Sequence, residues 1–361
     1  MDHQLELESK RREVRDEILA LKEQIPSARI LNQLGKVFKH NSLGYWLSNV
    51  IWLNLILLGP WIIIGFVLGE IEKTTSVFVT GAATTEITAL GFVVAHIAVQ
   101  SILDDIANRI VAKIDNINDL SKILLWLKKT WLTQNVAMFV LPLCLLWTAL
   151  GIPSLSIPIH QFVGFGASLT IALVGLFGGL MFYAPLWASL LASNLKTYQY
   201  DMNTFSPVDS EIISVISEML TKGIYIMASY GAVLSLFFSS NLYVDKIKAF
   251  IFPIMICGWA IIISQFLLTR YTLGTITNRA KWKTMNRIQT KMNAMEATGD
   301  LSDKDTAERL FRLTDIHKQI MASKMNTFDL KSVLTLFSQL MLPLLGLLLG
   351  NLDKVLKLLS K

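Results

Sequence analysis

The side chains best placed to do chemistry are Thr85, Glu86, His96 and Gln100, which interrupt an otherwise apolar stretch from Val77 to Leu103. An ionisable group at membrane depth costs about 2.5 to 3.5 kcal/mol on insertion scales and is retained for a reason. On a helix Glu86 and His96 lie about 15 Å apart along the axis and within about 80° around it, with Gln100 between them in angle. They form a polar stripe, open to two readings. One is a water-filled path in which Glu86 attracts cations and His96 tunes or gates by protonation. The other is a hydrogen-bonded set of structural residues facing neighbouring helices. For Glu86 the partners within reach of a membrane bundle are Asn54, Lys222 and Gln265.

Directly after this stretch comes IANRIVAKIDN, and its pattern returns as ITNRAKWKTMN. Both read Ile-x-Asn-Arg-x-x-x-Lys-x-x-Asn, placing Asn108, Arg109, Lys113 and Asn116 in the first copy and Asn278, Arg279, Lys283 and Asn286 in the second. On a helix the Ile, Arg, Lys and second Asn share one face. Each copy follows an apolar segment, so snorkelling contact with lipid headgroups is one role and a paired ring at the inner mouth of a pathway is another. Leu141-Pro142-Leu143 is likewise echoed by Leu342-Pro343-Leu344, which extends the repeat to a unit of span, span, basic helix, cytoplasmic helix and Pro-bearing span. With a single connecting span the two units keep one orientation, giving a parallel internal repeat.

The motifs of common enzyme classes are missing. There is no Gly-x-Ser-x-Gly, no phosphate-cradling Gly-Lys-Thr loop and no His-Glu-x-x-His, and the five histidines are dispersed. Cys144 and Cys257 lie inside apolar segments as packing residues. Neither catalysis nor a metal or cofactor is expected, and no nucleic-acid partner.

The elements that must position these residues follow from composition. Hydrophobic residues make up 53% of the 361 and charged residues only 17%, against about a quarter charged in soluble domains. The chain is therefore read as an all-α, polytopic transmembrane bundle of about 6–7 spans in a plasma or inner membrane. Residues 1–43 form a cytoplasmic region with a charged amphipathic helix up to Pro26, either solvated or in a short coiled coil with a partner. Residues 44–273 hold spans over 45–69, 77–103, 133–151, 162–192, 223–243 and 249–271, with a basic cytoplasmic loop at 104–131. Gly175 and Gly179 give the fourth span a close-packing face. Ile212, Ile213, Val215, Ile216, Met219 and Leu220 make an amphipathic piece expected along the cytoplasmic interface.

Residues 274–331 read as a cytoplasmic helical hairpin. Met285, Ile288, Met292 and Met295 on one helix face Leu310, Leu313, Ile316 and Ile320 on the other, and Ser302 starts the second helix. Residues 332–361 form a last hydrophobic helix, short for a span.

Two functions from different classes fit. The first is an ion channel or channel-like transporter built from several copies of the chain, with the second span nearest the pathway. The second is a membrane-anchored signalling scaffold that binds a cytosolic protein through the N-terminal helix and the 276–331 hairpin. Basic residues crowd the N-terminal region, 104–131 and 276–331, which puts all three on the cytoplasmic side. A cysteine placed at Ser302 should accordingly resist impermeant maleimides applied to intact cells and react after permeabilisation; labelling from outside would invert the topology.

Overall fold

The computed structural model describes residues 2–35, 42–67, 75–154, 162–203, 206–239, 245–298 and 304–322, together with residues 334, 337, 338, 340, 341, 344 and 345. The described chain is all-helical, with one isolated antiparallel bridge between Ile114 and Tyr200. Its long helices are α1 (Asp2–Gln24), α2 (Pro26–Gly35), α3 (Ser42–Val67), α4 (Thr75–Asp105) and α5 (Ile117–Thr130). They continue as α6 (Thr133–Ser154), α7 (Phe162–Leu195), α8 (Glu211–Ser239), α9 (Asp245–Thr298) and α10 (Lys304–Ala322). Four stretches, Thr84–Lys113, Ile117–Ala149, Phe165–Leu195 and Glu211–Ser229, are long and apolar enough to cross a membrane, and Ser48–Pro60 is a shorter apolar helix. The expected six to seven spans are not reached among the described residues. The 333–349 run, with its Leu342-Pro343-Leu344 echo, and the Ser302 helix start lie largely outside them.

The inner half of α4 sits at the centre. Ala95, Val99, Ile102 and Leu103 pack in one cluster with α1, α5, the inner ends of α6 and α7, and the start of α8. A second cluster joins Leu31 of α2, Leu53 and Leu57 of α3, Phe92 of α4 and Phe177 of α7. The α6–α7 pair closes the bundle on one side. Built onto Gly175, a Cβ would lie 3.2 Å from the Cys144 carbonyl oxygen, and on Gly179 it would lie 3.0 Å from Val140 Cγ1. Both glycines thus bring α6 up to the α7 backbone.

Several expectations are corrected. The N-terminal helix is neither solvated nor in need of a partner chain, because Val14, Ile18 and Ile25 are fully buried against the chain's own α4 and α5. Burying such side chains is worth about 1.5–3 kcal/mol each, which outweighs the polar character of the rest of α1. Nor does α2 lie outside the bundle, since Leu31 packs beside α3 and α4. The 212–220 piece is no interfacial helix: it is the first part of α8, with Ile212, Ile216 and Met219 at 1% exposure or less. The second half of the loop at 104–131 is the amphipathic helix α5.

The first basic motif is not helical throughout. Ile106–Ile110 form a π turn, Val111–Lys113 a 3-10 turn, and Ile114 is extended. The second copy runs inside α9, which continues unbroken for 54 residues, roughly 80 Å. The one-face argument therefore holds for the second copy only. The second half of α9 and α10 form the hairpin, with Met285, Ile288 and Met292 packed against Leu313, Ile316 and Ile320. Lys281, 1% exposed, donates from Nζ to the Met321 carbonyl 2.9 Å away and so caps the last turn of α10.

Gly179→Ala should lower stability by about 1–3 kcal/mol because its methyl meets the Val140 backbone. Gly178→Ala meets nothing within 4 Å and should instead be neutral or gain up to about 1 kcal/mol. Thermal unfolding of the two variants in one detergent gives the comparison.

Candidate functional site

Asp104, Gln100, His96 and Phe92 recur every four residues and form a slowly winding stripe on α4. The N-terminal arm, α1 and α2, is laid along that stripe in the opposite direction. Lys22 Nζ pairs with Asp104 Oδ1 at 2.6 Å, and Gln100 Nε2 donates to the Lys22 carbonyl at 2.9 Å. Ser27 Oγ is hydrogen-bonded to His96 Nδ1 at 3.0 Å. Leu31 then enters the Phe92 cluster. Lower down, Arg11 donates to the Ile114 carbonyl from Nη2 at 2.9 Å, and Glu17 pairs with Lys128 of α5. Pro26 breaks the helix between α1 and α2 and occupies the first position of α2, where its missing N–H costs nothing.

Glu86 is not brought to His96 and Gln100. It is exposed, higher on α4, and accepts from Asn54 Nδ2 of α3 at 3.1 Å. Asn54 Nδ2 also donates to the Val50 carbonyl. Thr85 faces inward, fully buried, with its hydroxyl on the Ala82 carbonyl at 2.8 Å. Gln265, the second expected partner of Glu86, instead donates to the Pro185 carbonyl of α7 at 2.6 Å. Lys222 is exposed on α8. The polar groups of α4 are thus divided, the lower ones engaged by the arm and Glu86 held at the α3–α4 edge.

α3 contributes polar atoms that the sequence reading overlooked. Ser48 and Asn49 are 5% and 0% exposed. Ser48 Oγ, both amide atoms of Asn49, Trp52 Nε1 and Asn54 Oδ1 are buried without a hydrogen-bond partner. A buried unpaired polar group costs about 1–3 kcal/mol. The sequence signal was present, since Ser-Asn beside a tryptophan is unusual in a segment otherwise rich in Leu and Ile.

Both copies of the basic motif converge on the segment between α7 and α8. From the first copy, the Lys113 carbonyl accepts from Asp201 N at 2.8 Å, and Asp115 N donates to the Gln199 carbonyl at 3.1 Å. From the second, Arg279 Nη1 donates to the Thr197 carbonyl and Lys283 Nζ to Gln199 Oε1, both at 3.2 Å. The side chains of the first copy point elsewhere: Arg109 pairs with Glu218 of α8 at 2.8 Å and with Asp105 at 3.5 Å, and Lys113 with Glu211 at 2.5 Å. Asn116 caps α5, accepting from Asn118 N at 2.8 Å, while Asn108 and Asn286 are exposed and Asn278 is half-buried.

Asp119, 4% exposed, accepts from Gln199 N at 3.0 Å and pairs with Lys122 at 3.1 Å. Burial pushes the hydroxyls of Tyr198 and Tyr200 well above the usual phenol range. The Asp119 charge adds to both shifts, after the Tyr198 contribution in the case of Tyr200. They remain donors at neutral pH, Tyr198 to Asn194 Oδ1 and Tyr200 to the Leu195 carbonyl. The result is a junction tying the C-terminal ends of α4 and α7 and the start of α8 to the middle of α9.

No group of three or more His, Cys, Asp or Glu side chains suited to a metal ion occurs among the described residues. No known protein family, curated protein or solved structure matches this chain.

Asp119→Ala should leave the Gln199 N–H unpaired and lower stability by about 1–3 kcal/mol. Lys122→Ala, which removes a partner 67% exposed, should change it by less than about 1 kcal/mol. Equal melting temperatures for the two variants would mean that the junction does not depend on Asp119.

Proposed function

We propose that the protein is a multi-pass membrane channel or channel-like transporter assembled from copies of the chain, with the polar groups of α4 nearest the pathway. The observation that supports this reading is Glu86: a carboxylate on a spanning helix, left exposed at the surface of a single chain and oriented by Asn54. A carboxylate facing acyl chains is costly, so this edge calls for water or a second subunit. Counting about 1.5 Å per residue from Leu103, Glu86 lies roughly 25 Å above the inner end of α4, towards the outer surface. In that position it concentrates cations at an outer mouth. Arg109 and Lys113, neutralised by Glu218 and Glu211, then act as struts of the inner mouth rather than as a charged ring.

A second reading, a membrane-anchored scaffold, is favoured by the hairpin. Trp282 and Phe311 are 54% and 66% exposed there, whereas the apolar face of α1 is already occupied by the chain itself. A partner of the scaffold would therefore bind the hairpin and not the N-terminal helix.

Reconstituted protein should carry cation flux, and Glu86→Gln should reduce it by about tenfold at low ionic strength and by less at physiological salt. Unchanged flux in the variant would take Glu86 out of the pathway, and no flux from the parent protein alongside a soluble partner retained by the 276–331 hairpin would favour the scaffold.

A further inference from the structure

The unpaired groups of α3 and the arm lie on one side of the bundle. Asn49 starts a buried face of α3 that continues one and two turns later with Leu53 and Leu57, all three at 0% exposure. Leu31 of α2 packs in the same cluster as those two leucines. A side chain at the position of Asn49 in a dry helix interface would ordinarily be apolar. Instead a hydroxyl and a whole amide are placed there, with Ser48 Oγ, Asn49 Nδ2 and Asn49 Oδ1 all unpaired. A ligand that satisfies them must both donate and accept, which is the chemistry of water. Neutral hydroxyl and amide oxygens also suit a hydrated monovalent cation better than an anion.

We infer that Ser48 and Asn49 form a hydration site on the inner half of the pathway, and that the α1–α2 arm is the gate that covers it. This rests on the channel reading above. The gate is held along α4 by three polar contacts: Lys22 with Asp104, Gln100 with the Lys22 carbonyl, and Ser27 with His96. Each joins the arm to the stripe one or two turns from the next, so losing them leaves α2 held chiefly by Ala28 and Leu31, while α1 stays anchored by Val14 and Ile18. Covering the site leaves the polar atoms of Ser48 and Asn49 unsatisfied, and uncovering it lets water reach them. That difference lowers the cost of an uncovered second state, which a gate requires.

Cysteine accessibility tests this without relying on flux. With Cys144→Ser and Cys257→Ser as background, Asn49→Cys is treated in proteoliposomes with a small cationic methanethiosulfonate, and its rate is compared before and after adding Ser27→Ala with Gln100→Leu. Loss of two hydrogen bonds should raise the rate by about thirtyfold. Leu53→Cys, one turn further into the dry cluster, should stay unreactive in both backgrounds. Equal rates at Asn49→Cys with the arm intact and loosened, or a parallel rise at Leu53→Cys, would overturn the gate.

A second measurement covers the case in which the loosened protein does not purify as a monodisperse species. Asn49→Leu, in the otherwise native chain, should raise the melting temperature by a few degrees because it removes unpaired groups. A lowered or unchanged value would overturn the hydration site. If the gate result holds while Glu86→Gln leaves flux unchanged, the failure lies with the outer mouth and not with the arm.

Discussion

A polar side chain inside a lipid-facing bundle must find a partner, and the architecture follows from how α4 meets that requirement. Its Asp104, Gln100 and His96 are each satisfied by the arm, through Lys22, the Lys22 carbonyl and Ser27. Its Glu86 takes Asn54 from α3. Each pairing fixes a neighbour at a defined height on α4. The apolar contacts between those heights, Ile18 and Ile25 below and Leu31 above, then supply most of the free energy while the polar pairs set the register.

The same division of labour operates at the junction between α7 and α8. Arg279 and Lys283 hold the chain between α7 and α8 from one side, and the Lys113 and Asp115 backbone holds it from the other. Exposed ion pairs such as Arg109–Glu218 are individually weak. What makes the junction rigid is the backbone bridge at Ile114 and Tyr200, together with the buried Asp119 and the hydroxyls of Tyr198 and Tyr200. Residues 197–201 thus link α9 to the foot of α4, where the arm is docked, by hydrogen bonds from both sides.

Much of the helical layout was legible before any coordinates. The apolar stripes at 285, 288, 292 and 313, 316, 320 predicted the hairpin contact, because a helix exposes every third or fourth residue to the same neighbour. Gly175 and Gly179 predicted a close approach, since only a missing Cβ permits one. The polar stripe expected on α4 was legible only in part: His96 and Gln100 share a face, but it is continued by Asp104 and not by Glu86. Spacing says nothing about whether water or another helix covers that face.

Sequence by itself determined that this is an all-α chain with apolar, membrane-length helices, because composition and periodicity over some twenty residues outweigh any single tertiary contact. It could not decide the conformation of the repeated motif. Asn116 and Asn286 occupy equivalent positions, yet the first leaves the helix to cap α5 and the second stays exposed within α9. The difference comes from Ile114, whose burial and bridge to Tyr200 outweigh the helical preference of the residues around it. Tertiary structure alone decided the fate of α1, whose mixed charges describe a solvated helix until the apolar surface of α4 and α5 is placed beside it.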